Sequence, residues 1–193
     1  MKEISITAPG FTLIELMVLL AVVSILMLIG VPGMESLYTR NELSAAINTY
    51  SADHRLARSE AVSRGRQVTL CARNATDVAC STETDWEDGW IVFVNIDRDS
   101  PPVIDAGEPV LKVIQPLHAK FSLRSSGDTA THFTYLPTGD ARYPGSIILC
   151  KHGKTSQSRL LEVSVIGRVN IAELSANDIS MTADGNEIES CNP

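Results

Sequence analysis

The chain has 193 residues and a formal net charge of −7, from 16 Lys+Arg against 23 Asp+Glu. That length holds one globular domain with an appendage and excludes two full-sized enzymes. Hydrophobic residues make up 44% and charged residues 20%, which excludes a disordered chain and a polytopic membrane protein, while net acidity argues against nucleic-acid binding through bulk positive charge.

The first element is apolar. Residues 16–34 run LMVLLAVVSILMLIGVPGM, nineteen positions without a charge, long enough at about 1.5 Å per residue to cross a hydrocarbon layer of roughly 30 Å. A cleaved secretory signal fits poorly. Lys2 is the only base ahead of the run, the run is too long, and Glu35-Ser36-Leu37-Tyr38 follows in place of an A-x-A-like site. Glu15 has apolar neighbours on both sides in Phe11-Thr12-Leu13-Ile14-Glu15-Leu16. An ionisable group so placed is costly, and it marks function with a partner charge supplied from elsewhere.

Gly10-Phe11-Thr12-Leu13-Ile14-Glu15-Leu16, followed by an apolar helix and then Pro32, resembles the class III signal of type IV pilins and type II secretion pseudopilins. The resemblance implies a leader over residues 1–10, removed by a prepilin peptidase that cuts after Gly10 and methylates Phe11 as the new N-terminus. It implies that Glu15 pairs with the N-terminal amine of a neighbouring subunit, and that Pro32 sits at a kink or melted stretch of a transmembrane and filament-core helix over residues 11–34. The physics agrees, since an ammonium and a carboxylate in a dry filament core are tolerable only as a pair.

Beyond the apolar run, Leu43, Ala46, Ile47, Tyr50, Ala57 and Ala61 recur at helical spacings, with Arg40, Glu42, Asp53, Arg55, Arg58, Glu60 and Arg64 mostly between them. This predicts an amphipathic helix over residues 35–65, ending at Arg64-Gly65, so that one helix runs from near Phe11 to near Gly65. His54 falls on or beside the apolar face and reads as a packed or half-exposed histidine, not a ligand. Strands are predicted at residues 67–71, 90–94, 109–114, 121–123, 132–135, 146–150 and 160–165, from β-branched and aromatic runs punctuated by Asp-Gly, Pro-Pro and Thr-Gly-Asp. The expected fold is α+β and pilin-like, a long N-terminal helix packed on an antiparallel sheet in one globular domain over residues 35–193, with the β part at 66–193.

Leu56-Ala57-Arg58-Ser59-Glu60-Ala61, Arg66-Gln67-Val68-Thr69-Leu70-Cys71, Trp86-Glu87-Asp88-Gly89-Trp90-Ile91-Val92-Phe93 and Ile166-Gly167-Arg168-Val169 together resemble the FimT/GspH family of type IV minor pilins and type II secretion minor pseudopilins. Trp86 and Trp90 are expected as core anchors. The resemblance implies a subunit made in the inner membrane with its C-terminal domain in the periplasm, then carried into the pilus. Its partners would be other minor pilins, the major pilin, the peptidase and an inner-membrane assembly platform.

Cys71, Cys80, Cys150 and Cys191 all lie outside the apolar segment, an even set in an oxidising compartment. Three pairings are possible. Cys71 with Cys80, closing a short loop, and Cys150 with Cys191, tying down the tail, are favoured. C-x8-C with widely spaced partners does not match zinc-ligand spacing.

Charge is uneven. Residues 40–66 carry +2, 73–108 carry −7, 112–168 carry +5 and 173–193 carry −5. Some FimT-type pilins bind DNA through a basic surface with a Gly-Arg-x-Arg element. Here the stretch reads Gly167-Arg168-Val169-Asn170 and an acidic tail follows, leaving Lys151, Lys154, Arg159 and Arg168 as a modest phosphate-binding stripe. Asp97, Asp99, Asp105 and Glu108 take positions 1, 3, 9 and 12 of a twelve-residue calcium loop, but Pro101 and Pro102 occupy the fifth and sixth, so only a looser calcium site is compatible. No cofactor is expected. No catalytic signature appears, and the four histidines are scattered. The reading is therefore of a minor pilin in a tip or priming complex, a substrate of an enzyme and not itself one. The alternatives are the minor pseudopilin H of a type II secretion system and a DNA-binding competence pilin.

Overall fold

The computed structural model describes residues 10–125, 127–177 and 179–191, and for residues 28–36 it describes the backbone alone. A single helix, α1 (Leu13–Arg64), carries 52 residues. It ends as the sequence predicts: just past Gly65, the Arg66 N–H reaches back to the Ala61 carbonyl at 3.3 Å, the bond that closes a helix through its third-last carbonyl. The chain divides into two compact units between Arg40 and Asn41. Residues 1–9 of the expected leader over residues 1–10, and the side chain of Pro32, lie outside the described residues.

In the unit Asn41–Pro193, the strands are β1 (Gln67–Ala72), β2 (Trp90–Asn95), β3 (Val110–Val113), β4 (Phe121–Ser125), β5 (His132–Tyr135), β6 (Gly145–Lys151), β7 (Lys154–Val163) and β8 (Val169–Ile171). They form two four-stranded sheets, ordered β3-β2-β1-β5 and β4-β6-β7-β8, with every pairing antiparallel. The expectation of one sheet under the helix is thus corrected to two. The first half of β7 carries too few apolar residues to signal a strand, and β8, with three residues, is too short to do so. Neighbouring backbones create them: Lys154 lies opposite Lys151, and Val169 opposite Val163.

Both sheets turn one face to α1. Leu43, Ile47, Tyr50, Ala57 and Ala61 of the helix meet Val68, Leu70, Val92 and Phe133 of the first sheet and Leu123, Ile147, Leu149 and Leu161 of the second in one cluster. Because side chains alternate along a strand, the intervening residues face outward, and several of these are apolar as well. Cys71, Ile91 and Phe93 form a small outer core with Cys80 and Ile104, while Ile148, Cys150 and Leu160 form another with Ile188 and Cys191. Each outer core contains one disulfide, Cys71–Cys80 or Cys150–Cys191. The bridges therefore pin a loop and the C-terminal tail onto sheet faces that would otherwise meet water. The tail has apolar and polar anchors of its own: Ile188 is buried, and Ser180 Oγ accepts the Leu160 N–H at 3.1 Å.

Trp86 and Trp90 are both buried. Gly89 between them adopts φ +99°, and a Cβ there would stand 2.3 Å from the Ile114 carbonyl oxygen. Only glycine permits the turn that aims both indoles inward.

Candidate functional site

The N-terminal features sit at the start of α1. Gly10 and Phe11 are exposed, and a side chain at Gly10 would meet nothing within 4 Å, so nothing among the described residues demands glycine there. Glu15 is held locally. Its Oε2 accepts the Thr12 N–H and the Thr12 hydroxyl, both at 3.0 Å, while the Glu15 N–H reaches Thr12 Oγ1 at 3.3 Å. This is a reciprocal capping box, which satisfies two of the amide donors left over at a helix start. The Thr-x-x-Glu spacing was present in the sequence and was not read as a cap.

Along the next four turns the apolar side chains face outward. Leu13 is 77% exposed, Ile14 68% and Leu26 64%. Among the described residues no helix is long and apolar enough to cross a membrane. Of the nineteen uncharged positions, side chains are described only as far as Met27.

The globular unit holds its helix with polar clasps at three heights. Near the unit's start, Glu42 accepts Lys120 Nζ at 2.6 Å and Lys151 Nζ at 3.1 Å. The bond from Lys120, with Lys151 adding to it, outweighs desolvation and lowers the carboxyl's pKa. In the middle, the buried Asp53 takes the Trp90 indole N–H at 2.9 Å and Lys112 Nζ at 2.5 Å. Further on, Arg58 Nε donates to the Gly139 carbonyl at 2.8 Å and Nη2 to the Ile166 carbonyl at 2.9 Å. A fourth clasp ties the second sheet to the tryptophan turn, Arg124 of β4 pairing with Glu87 and Asp85 beside Trp86.

Asp53 and Arg58 were placed with the polar face. Asp53 nonetheless lies three residues after Tyr50 and four before Ala57, on the buried stripe, and that spacing was the available signal. His54 is fully buried between the Tyr50 and Phe133 rings, sharing a hydrogen bond of 2.8 Å between Nδ1 and Tyr135 Oη. Burial lowers its pKa to about 3, so the ring is neutral.

The four cations read as a phosphate stripe do not form one. Lys151 is buried and paired with Glu42, and Arg159 is buried with Nη1 on the Ser158 carbonyl. Lys154 and Arg168 are exposed. They flank opposite ends of β7, whose 10 residues span about 30 Å at 3.3 Å each.

The acidic loop converges only in part. Single carboxylate oxygens of Asp97, Asp99 and Asp105 lie within 4.8 Å of one another. Glu108 is turned away to the backbone, accepting the Ile96 N–H at 2.5 Å and the Asp105 N–H at 3.1 Å. Desolvation, followed by the charges of Asp97, Glu108 and Asp99, raises the Asp105 pKa. The expected four-carboxylate set is therefore three, with Glu108 serving as a loop brace.

This architecture has relatives. The structure is similar to the Pseudomonas aeruginosa type IV minor pilin FimU, at 23% identity over 79% of this chain and 96% of that one, with a TM-score of 0.50. The minor pseudopilin EpsH of the Vibrio cholerae type 2 secretion system aligns at 11% identity over 67% of this chain and 95% of that one, with a TM-score of 0.48. No curated protein matches the sequence. Residues 46–167 match the family model described as type II transport protein GspH. That span takes in the last third or so of α1, β1 to β7 and the tryptophan turn, and the chain belongs to the GspH family.

Proposed function

We propose that the chain is a minor pilin, a structural subunit built into the tip or priming complex of a type IV pilus. The observation that carries this reading is the first half of α1. An apolar helical surface, exposed on every side chain described and interrupted by one carboxylate, is joined to a globular unit of the GspH family. Apolar surface of that extent needs a cover, which lipid supplies before assembly and neighbouring helices supply after it.

In this reading the subunit is held in the inner membrane with its globular unit in the periplasm. A prepilin peptidase cuts after Gly10 and methylates Phe11. Glu15 then pairs with the N-terminal amine of an adjacent subunit. The openness around Gly10 supports a requirement imposed by the peptidase and not by the fold. Gly10→Val is expected to leave folded, uncleaved protein in the membrane, seen as a slower band on immunoblots of membrane fractions; mature protein at normal level would contradict the assignment.

A second reading, the minor pseudopilin H of a type II secretion system, draws on the description of the matched family model. Deleting the gene separates the two. Scarce sheared pili with normal secretion support the pilus, and normal pili with impaired secretion support the pseudopilus.

A further inference from the structure

The later turns of α1 and two loops wall a cleft of about 590 Å3, lined among others by Arg55, Arg58, Ser59, Val62, Thr138 and Arg168, with no carboxylate among its described lining residues. That volume falls in the range of ligand-binding clefts. Its shape is set by Arg58, which holds the Gly139 and Ile166 carbonyls together. A Cβ on Gly167 would fall 2.1 Å from the Gly139 oxygen, so the two loops approach as closely as bare backbone allows.

Arg58 is occupied by that task. The guanidinium groups of Arg55 and Arg168 have no acidic partner among the described residues. Beside them Val62 is 53% exposed, and Val165 and Ile166 at the adjoining turn are 59% and 62% exposed. A chain of net charge −7 thus gathers two uncompensated forks and an apolar rim at one place. Planar guanidinium groups pair with carboxylates two bonds at a time, and exposed apolar residues beside them favour a ligand that is part acidic and part apolar.

We propose that this cleft receives an acidic segment of a neighbouring subunit, whose carboxylates pair with Arg55 and Arg168 and whose apolar side chains cover Val62. The identity of the neighbour rests on the pilus reading; the chemistry of the cleft does not. A nucleic-acid strand fits less well. Its evenly spaced phosphates need a track of cations, and Lys154 lies at the far end of β7, while Lys151 and Arg159 are buried.

The test uses the full chain in detergent micelles with three labelled probes: a peptide of alternating Glu and Leu, its Gln-Leu counterpart, and a single-stranded oligonucleotide. The Glu peptide is expected to bind saturably, about tenfold more tightly than the Gln peptide, and more weakly as salt rises. Arg55→Glu with Arg168→Glu should abolish that preference, Arg55→Gln with Arg168→Gln should weaken it, and Lys154→Glu should leave it unchanged, all with unaltered melting temperature. Equal binding of both peptides, or undiminished binding by the double variants, overturns the proposal. Tighter binding of the oligonucleotide, lost in the same variants, overturns it in favour of nucleic acid. Normal pili in gene-deleted cells alongside selective peptide binding would remove the pilus reading and leave the cleft, and scarce pili without selective binding would do the reverse.

Discussion

Residues 13–27 of α1 expose Leu13, Ile14, Leu16, Leu20 and Leu26, whereas residues 43–61 of the same helix bury Leu43, Ile47, Tyr50, Ala57 and Ala61. The carboxylates differ in the same way. Asp53 is met by an indole and an ammonium from two strands, while Glu15 is met, among the described residues, only by Thr12. The second stretch is accounted for by its own chain, since the helix exists there because two sheets bury its stripe. The first is locally capped and, on every side chain described, otherwise exposed, and the proposed function assigns its cover and the partner of its carboxylate to something outside the chain. One half of the helix folds the subunit; in the proposed reading the other half joins it to its surroundings.

The comparison breaks most readily in the globular half. Trp86 is buried, donates its indole N–H to the Ala130 carbonyl at 2.8 Å and stands edge-on to Tyr50. Trp86→Ala should cost about 3–5 kcal/mol in chemical denaturation of the globular transition. The two disulfides should differ, because they close loops of 41 and 9 residues. By loop-closure entropy, replacing Cys150 and Cys191 with serine should cost about 4 kcal/mol, and replacing Cys71 and Cys80 about 2.5 kcal/mol. Equal costs would mean that the outer cores, and not the chain constraint, set the value.

Acid should act through His54. Its pKa falls from 6.5 to about 3 on folding, so below pH 6.5 the unfolded chain takes up a proton that the folded chain refuses. The stabilisation is full above that pH and declines towards pH 3, by at most about 1.4 kcal/mol per pH unit. His54→Gln, compared with wild type across that range, should flatten this component of the slope. The smallest effect belongs to the other half of the helix: Glu15→Ala should shift the globular transition by less than about 0.5 kcal/mol.

Much of this was legible in the sequence, for identifiable reasons. The helix end was marked by Arg64-Gly65, and the core stripe by spacings of three, four and seven from Leu43 to Ala61. Six strands were marked by β-branched or aromatic runs within about two residues of their observed ends. What escaped depended on partners distant in the chain. In the polar first half of β7, Lys154, Ser158 and Arg159 lie opposite Lys151, Cys150 and Leu149 of β6, a pairing that their residue types do not announce. Strands buried on both faces read as continuous apolar runs, which hide the division into two sheets. The four basic residues near the C-terminus looked like one surface because they are close in sequence, yet Lys151 is spent on Glu42 of α1, 109 residues away. Asp53 looked solvated by residue type, although its position on the stripe said otherwise.

The most direct test of the division within α1 is to express Glu15→Ala in cells deleted for the gene, then quantify the protein both in membranes and in sheared pili. The account predicts cleaved, folded protein at normal level in the membrane fraction and little or none in the pili. Equal recovery of mutant and wild type in sheared pili would contradict it, and would return Glu15 to the role of a helix cap.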